Sequence, residues 1–306
     1  MRDKFPIADS RNYGFWNENE QSRLHDSTVA IAGVGGDGFQ LGYKLAMMGV
    51  GRLKVADPEV FEPENSNRVL AATEPNCGRN KAEVFQEMVS ALPRDVKIDV
   101  YNDGVTPDNI DDFMDGVDLI LDESELRYLH IGTMIARTAL KNNIPSLLVM
   151  NIGFAGVATS FKPDTVTNGF EELMGIPKGM PLDEVADLKL DYSRAIPYIP
   201  AYGDFDTFKA VIDGAPLPSI SQGVDVASAV GSTEAFLHLT AEAGNKRKTP
   251  TWSNRFRYMD AYTNKSGIIK HPRLSYYKGV ATIVGRSVLN RNPKASYSTQ
   301  ERENRQ

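Results

Sequence analysis

The sequence predicts an α/β protein, a doubly wound, mainly parallel sheet with an antiparallel C-terminal extension. Three observations carry this. Short apolar and β-branched runs alternate with helix-period segments from Ser27 to Met150, at the pitch that parallel strands with right-handed crossovers need. The first of these runs ends in a glycine-rich turn that opens a helix, Gly33-Val34-Gly35-Gly36-Asp37-Gly38. After Met150 the rhythm breaks, and residues 156–163 alternate as a strand of an antiparallel extension would.

Each element has its own warrant. Residues 28–32 (TVAIA) are apolar on both faces, as a buried parallel strand is. Leu41, Leu45 and Met48 recur at helical spacing after the glycine turn. Residues 52–56 form the second strand, and the segment from Asn80 reads as a helix closed by Pro93. Strands follow at 97–101, 117–121 and 146–150, with helices over 107–114 and 130–141 between them. A helix rich in small residues spans 224–239, and residues 251–263 contain one more strand. Residues 164–218 are rich in Pro, Gly, Asp and Tyr without a period, and are too long for a plain loop. The chain thus divides into an N-terminal segment (1–26), a nucleotide-binding core (27–163), an insertion or lid (164–218), the C-terminal part of the core (219–289) and a polar tail (290–306).

Composition narrows the function. Of 306 residues, 41% are hydrophobic, enough for one large core or two moderate ones. The net charge of −6 disfavours a protein that coats nucleic acid. No apolar run reaches the roughly 18 residues of a membrane span, and no signal-peptide core is seen, so the expected place is the cytoplasm. The single cysteine, Cys77, removes internal disulfides and multi-cysteine zinc sites, and the four histidines show no ligand spacing. Any metal must then be a hard ion held by carboxylates.

Gly33, Gly35, Gly36 and Gly38 sit between strand and helix, where backbone N–H groups approach a phosphate closely. Asp57 ends the second strand, the usual place of an acid that binds ribose hydroxyls. These features fit an NAD-dependent oxidoreductase equally well. The downstream residues separate the two readings: Asp57 with Glu59, Asn65 with Arg68 as Asn-x-x-Arg, Lys81 after Gly78-Arg79-Asn80, and Leu121-Asp122-Glu123-Ser124-Glu125 at the end of the fourth strand. Jointly these resemble the adenylation site of the ThiF/MoeB family, relatives of ubiquitin-activating enzymes. The resemblance covers about residues 27–163 and resumes near 219–260.

The resemblance implies a Rossmann-like ATP-binding fold and AMP transfer to a carboxylate. It places Asp57 on the ribose, Arg68 and Lys81 on the triphosphate with Asn65 as an uncharged partner, and a carboxylate at the fourth strand on Mg2+. The family's aspartate there aligns with Glu125, which leaves Asp122 as the alternative ligand. The residue types suit the chemistry, because attack on the α-phosphorus needs two anions brought together and their charge neutralised. Arg68 offers a planar fork and Lys81 a point charge.

Two departures matter. The N-terminal arginine of a Tyr-x-Arg-Gln segment is missing, with Arg11 close enough in sequence to substitute. The nucleophilic and zinc-binding cysteines are also missing, which disfavours thioester transfer. The remaining chemistry is attack of another nucleophile on the acyl adenylate. The acyl substrate is expected to be a peptide, a protein C-terminus or a small carboxylate. Net acidity makes nucleic acid a poor partner, without excluding tRNA. A homodimer is expected, through the small-residue helix around Ala227, Ala229 and Gly231 and the aromatic segment Tyr13, Phe15 and Trp16. The aromatics of the insertion (Phe170, Tyr192, Tyr198, Tyr202, Phe205, Phe208) offer a surface to grip an extended substrate. A non-catalytic activating-enzyme-like scaffold is the third reading, opposed by the presence of Asp57, Arg68 and Lys81.

Overall fold

The computed structural model describes residues 7–163, 169–243 and 249–289. Five strands run parallel: β1 (Thr28–Ala32), β2 (Arg52–Ala56), β3 (Lys97–Tyr101), β4 (Leu119–Asp122) and β5 (Ser146–Ile152). Three more continue antiparallel: β6 (Ala155–Phe161), β7 (Phe256–Asp260) and β8 (Lys265–Ile269). They form one eight-stranded sheet in the order β3-β2-β1-β4-β5-β6-β7-β8. This is the doubly wound, mainly parallel sheet with an antiparallel extension that the strand rhythm predicts.

The helices are α1 (Glu18–Asp26), α2 (Gly36–Met48), α3 (Lys81–Ser90), α4 (Ile110–Met114), α5 (Leu129–Lys141), α6 (Gly169–Met174), α7 (Leu182–Ala186), α8 (Tyr192–Ala195), α9 (Phe205–Ile212), α10 (Ser221–Leu239) and α11 (Pro272–Leu289). Side chains of a strand alternate between the two faces of the sheet, and β1 shows the result. Val29 and Ile31 join a core with residues of α1, α2, α3 and α10, while Ala30 and Ala32 join another with α4 and α5. Among the described residues no helix is long and apolar enough to cross a membrane.

Within residues 164–218, 164–168 lie outside the described set, and 169–212 carry four short helices. Five of the six aromatics expected to grip a substrate, Phe170, Tyr192, Tyr198, Phe205 and Phe208, are in fact involved in a separate core. Phe170 is 3% exposed against Phe161, and Tyr192 and Tyr198 pack on the same cluster beside Phe256. Phe170 therefore cannot reach a ligand. Tyr202 differs: its ring lies 4.8 Å from Tyr262 and 5.8 Å from Phe154, and its hydroxyl accepts from the Phe154 N–H at 2.8 Å.

The small residues of α10 also serve the fold. A Cβ on Gly231 would lie 2.8 Å from Val149 Cγ2, and Ala227 is fully buried where Gly156 approaches its backbone. Ala227 and Gly231 thus pack inside the chain, whereas Ala229 is exposed. The strand expected at 117–121 starts later, at Leu119, and the helix expected from 107 starts at Ile110. The polar tail, 290–306, lies outside the described residues.

The N-terminal segment is anchored by a buried charge. Asp9, fully buried, accepts from Arg94 Nη1 at 2.5 Å and meets His25 Nε2 at 2.9 Å. Asn12 Nδ2 and Trp16 Nε1 both donate to Gln21 Oε1, and Gln21 Nε2 donates to the Met48 carbonyl. Met48 closes α2 at the end away from the glycine turn, roughly 18 Å along a 13-residue helix. Arg11 belongs to that end, so within one chain it does not substitute for the missing nucleotide-reaching arginine.

Candidate functional site

The site lies where the parallel strands end. β1 hands the chain to α2 through Gly33 and Gly35, and Gly33 takes φ +98°, a conformation that favours glycine. A Cβ there would lie 2.4 Å from the Glu123 carbonyl oxygen, and one on Gly38 would lie 2.0 Å from the Gly33 carbonyl oxygen. The turn is therefore pressed against the chain leaving β4. Gly35 is different, because a Cβ there meets no atom within 4 Å. Its backbone faces open space at the N-terminus of a 13-residue helix, where partial positive charge gathers.

Asp57 follows β2 and is 4% exposed. One carboxylate oxygen accepts from Val34 N–H and the other from Glu59 N–H, each at 2.8 Å. Burial raises its proton affinity, against the opposing pull of those bonds and of Lys81. Each oxygen keeps a second lone pair, so the group can brace the turn and still accept from hydroxyls.

Lys81 opens α3. Asn80 caps that helix, its Oδ1 accepting from the N–H groups of Ala82 and Glu83 while its Nδ2 donates to the Asp57 carbonyl. The Lys81 ammonium is held by Glu59 at 2.5 Å, and the Lys81 N–H bonds the Glu59 carbonyl. The structure thus brings Asp57, Glu59 and Lys81 into one cluster. Asn65 is buried in the 3-10 turn Pro63–Asn67, its Oδ1 accepting from Glu62 N–H and its carbonyl from Arg68 and Val69 N–H. Its visible task is to shape the loop that carries Arg68. The Arg68 guanidinium donates to the Glu64 carbonyl and Asn67 Oδ1, while its stem passes 3.8 Å from where a Gly36 Cβ would stand. Arg68 therefore leans on the glycine turn.

The two acids at the end of β4 part company. Asp122 is 5% exposed, its Oδ1 accepting from Ser124 N–H and Oγ, and burial pushes its pKa up to about 6. Glu125 faces solvent and pairs with Arg127. Among the described residues no group of three or more His, Cys, Asp or Glu side chains is arranged to hold a metal. Cys77 is partly exposed beyond this loop, its Sγ near the Thr73 carbonyl.

Sequence reasoning missed a second pair of acids. Asp37 lies in the first turn of α2, its Oδ2 accepting from the backbone and side-chain N–H groups of Asn151 at 2.9 and 2.8 Å. Among the described residues its buried Oδ1 has no hydrogen-bond partner. Burial pushes its pKa up to about 7, opposed by the Asn151 bonds and by Arg68. Glu123 accepts from Val149 N–H, and burial, then Asp37 and Asp122, drive its pKa well up. The signal for Asp37 was an acid inside a glycine turn, where a phosphate-binding helix start ordinarily has none. Asn151 also accepts from Ser219 Oγ, and Ser219's carbonyl accepts from Asn67 Nδ2. This chain of bonds joins the end of the insertion to the loop of Arg68.

The model of the ThiF family matches residues 9–276. The SAMP-activating enzyme E1 of Haloferax volcanii is 31% identical over 147 residues, 47% of this chain and 53% of that protein. The tRNA threonylcarbamoyladenosine dehydratase of Escherichia coli is 32% identical over 105 residues, 34% of this chain and 38% of that protein. The matches thus span about half of these curated relatives or less. Among solved structures, E. coli MccB with ATP shares the fold at a TM-score of 0.61 and 15% identity, over 87% of this chain and 73% of that one.

Proposed function

The chain belongs to the ThiF family, and from that premise we propose that it transfers AMP from ATP to a carboxylate. The observation that carries this is that Arg68 leans on an open glycine turn while Lys81 stands beside Asp57, the acid that braces that turn. A dinucleotide site has no need of two such cations, whereas a triphosphate does. In the proposed step a carboxylate oxygen bonds the α-phosphorus as the bond to the bridging oxygen breaks and pyrophosphate leaves. The open backbone at Gly35 receives the phosphates at the helix start. Arg68 and Lys81 neutralise the charge that passes to pyrophosphate, Lys81 exchanging its bond to Glu59 for one to phosphate. Asp57 accepts from the ribose while bracing Val34 and Glu59.

Mg2+ fits the donor set as a hard ion that takes one or two carboxylates, with the rest from phosphate and water, and would add charge neutralisation. Asp122 is the better-placed ligand, since Glu125 is turned to solvent against Arg127. The acyl substrate is read as a peptide, a protein C-terminus or a small carboxylate, approaching past Tyr202 and Tyr262. With one cysteine in 306 residues, a non-thiol nucleophile completes the reaction. A homodimer accompanies this reading, seated on the N-terminal aromatics, where Phe15 is 80% exposed, and on the side of α10 that carries the exposed Ala229.

The test is exchange of labelled pyrophosphate into ATP against a panel of peptides and carboxylates. Exchange that depends on one class of acceptor supports the reading. Absence of exchange across the panel, together with tight NAD binding, overturns it.

A further inference from the structure

A cavity of about 410 Å³ opens at the far end of the molecule. Its place is set by strand directions. β7 runs in the same sense as β5, because each is antiparallel to β6, and β8 returns against β7. Ile269 at the end of β8 pairs with Phe256 at the start of β7, so Lys270 and His271 emerge where the parallel strands begin. β8 lies five strands from β1 in the sheet, roughly 24 Å across it, which is what separates this place from the glycine turn after β1.

The lining is cationic. Arg194, Lys270, His271 and Arg273 face the cavity, with Glu172 as the one acid on its wall. Arg194 is partly engaged, its Nε 3.5 Å from Asp191 and its Nη1 3.4 Å from the Glu172 carbonyl. Neither Lys270 nor Arg273 forms an ion pair among the described residues. Ser193 first, and then Arg273, hold the Tyr277 hydroxyl below the usual phenol range by hydrogen bonding. The same wall is the start of α11, an 18-residue helix, whose first bond runs from Ser275 N–H to the His271 carbonyl. The first-turn N–H groups of Arg273 and Leu274 have no acceptor inside the helix.

We propose that this cavity binds the phosphoryl end of a small phosphorylated molecule, at a site separate from the glycine turn. A single carboxylate offers two oxygens, too few for two guanidinium forks, an ammonium and the helix N–H groups together. A phosphoryl group, and still more a diphosphate, supplies three or more acceptors and at least two charges. The cavity volume falls in the range of sites for nucleotide-sized ligands. Glu172 disfavours a ligand charged on every side, and Asn254 gives the wall a neutral polar contact.

Hydrogen–deuterium exchange on the whole chain tests this with three probes: inorganic pyrophosphate, ADP and tricarballylate. Pyrophosphate is expected to slow exchange over residues 190–196 and 268–276. The Lys270→Glu, Arg273→Glu double variant should weaken that protection at least tenfold, and Lys270→Gln, Arg273→Gln should do so to a lesser degree. Protection over residues 33–38 should persist in both, which keeps this site's failure distinct from that of the glycine turn. Tighter protection by ADP than by pyrophosphate identifies a nucleotide as the source, and equal protection identifies the phosphoryl group alone. No protection at millimolar pyrophosphate, equal protection by tricarballylate, or protection unchanged in the glutamate variant overturns the proposal.

Discussion

Asp37 and Glu123 stand close enough at the start of α2 that the charge of one raises the proton affinity of the other. Asp37 titrates near 7, far above an ordinary aspartate, so the folded chain holds its proton where the unfolded chain has lost it. A folded pKa above the unfolded one means stability falls as pH rises between the two values. Asp37→Asn is therefore expected to stabilise the protein by about 1 kcal/mol or more at pH 8 and by little at pH 4. Urea unfolding at the two pH values measures this, and an equal gain at both would contradict it.

His238 should act in the opposite sense. Its Nε2 meets Ser160 Oγ at 2.8 Å and its ring lies against Trp252, and burial pushes its pKa down to about 4. The folded chain keeps it neutral where the unfolded chain protonates it, so stability is lost as pH falls from about 6.5 toward 4. His238→Phe is expected to flatten that part of the stability profile. A slope unchanged by the substitution would assign the acid sensitivity elsewhere.

Lys81→Ala should leave the fold intact, because Glu59, 55% exposed, then returns to water at a cost of about 1 kcal/mol or less. Adenylate formation should fall by at least about tenfold, and by roughly 2 to 4 kcal/mol of transition-state stabilisation if the ammonium acts on the leaving phosphates. Single-turnover measurement decides between this and a merely structural lysine, which would leave the rate within a few-fold of the parent.

Asp57→Ala removes the acceptor of two backbone N–H groups, Val34 and Glu59. It is expected to cost about 2 kcal/mol or more of stability and to weaken nucleotide binding. Asp57→Asn keeps one acceptor oxygen and should recover part of the stability. Thermal unfolding of the pair, read beside ATP titration, checks the order parent, Asn, Ala.

On the proposed function, Arg68 and Lys81 also set nucleotide choice. Binding of ATP with Mg2+ should exceed that of NAD by at least about tenfold, or ~1.4 kcal/mol. Calorimetric titration with equal affinity for both would remove the argument from paired cations.

Legibility in the sequence tracks burial. TVAIA and RLKVA read as strands because four of the five residues of each are buried, on both faces of the sheet. β8, KSGII, escaped notice because four of its five residues are exposed on an edge strand, where no alternation is imposed. α11 escaped because it lies half in solvent with no single apolar stripe, and α6 to α9 because they are too short for a period to show. In the site, the resemblance pointed to Asp57, Glu59 and Lys81, which cluster in the fold, and to Arg68, which leans on the glycine turn at Gly36. Asp37 and Glu123 were passed over because burial of an acid by a strand end and a helix turn leaves no trace in spacing. Asp122 and Glu125, three residues apart, read as alternatives, yet only their exposure distinguishes them.

The contact of α10 with the β5–β6 hairpin has a consequence for how such a chain can change over generations. A Cβ on Gly223 would lie 2.1 Å from the Gly153 carbonyl oxygen, and one on Gly156 would lie 2.4 Å from the Ala227 Cα. Two glycines thus fasten the element before the insertion to the element after it, backbone against backbone. The intervening chain leaves and returns at points held together without its help. Its length can therefore change without unseating the two elements that hold its ends.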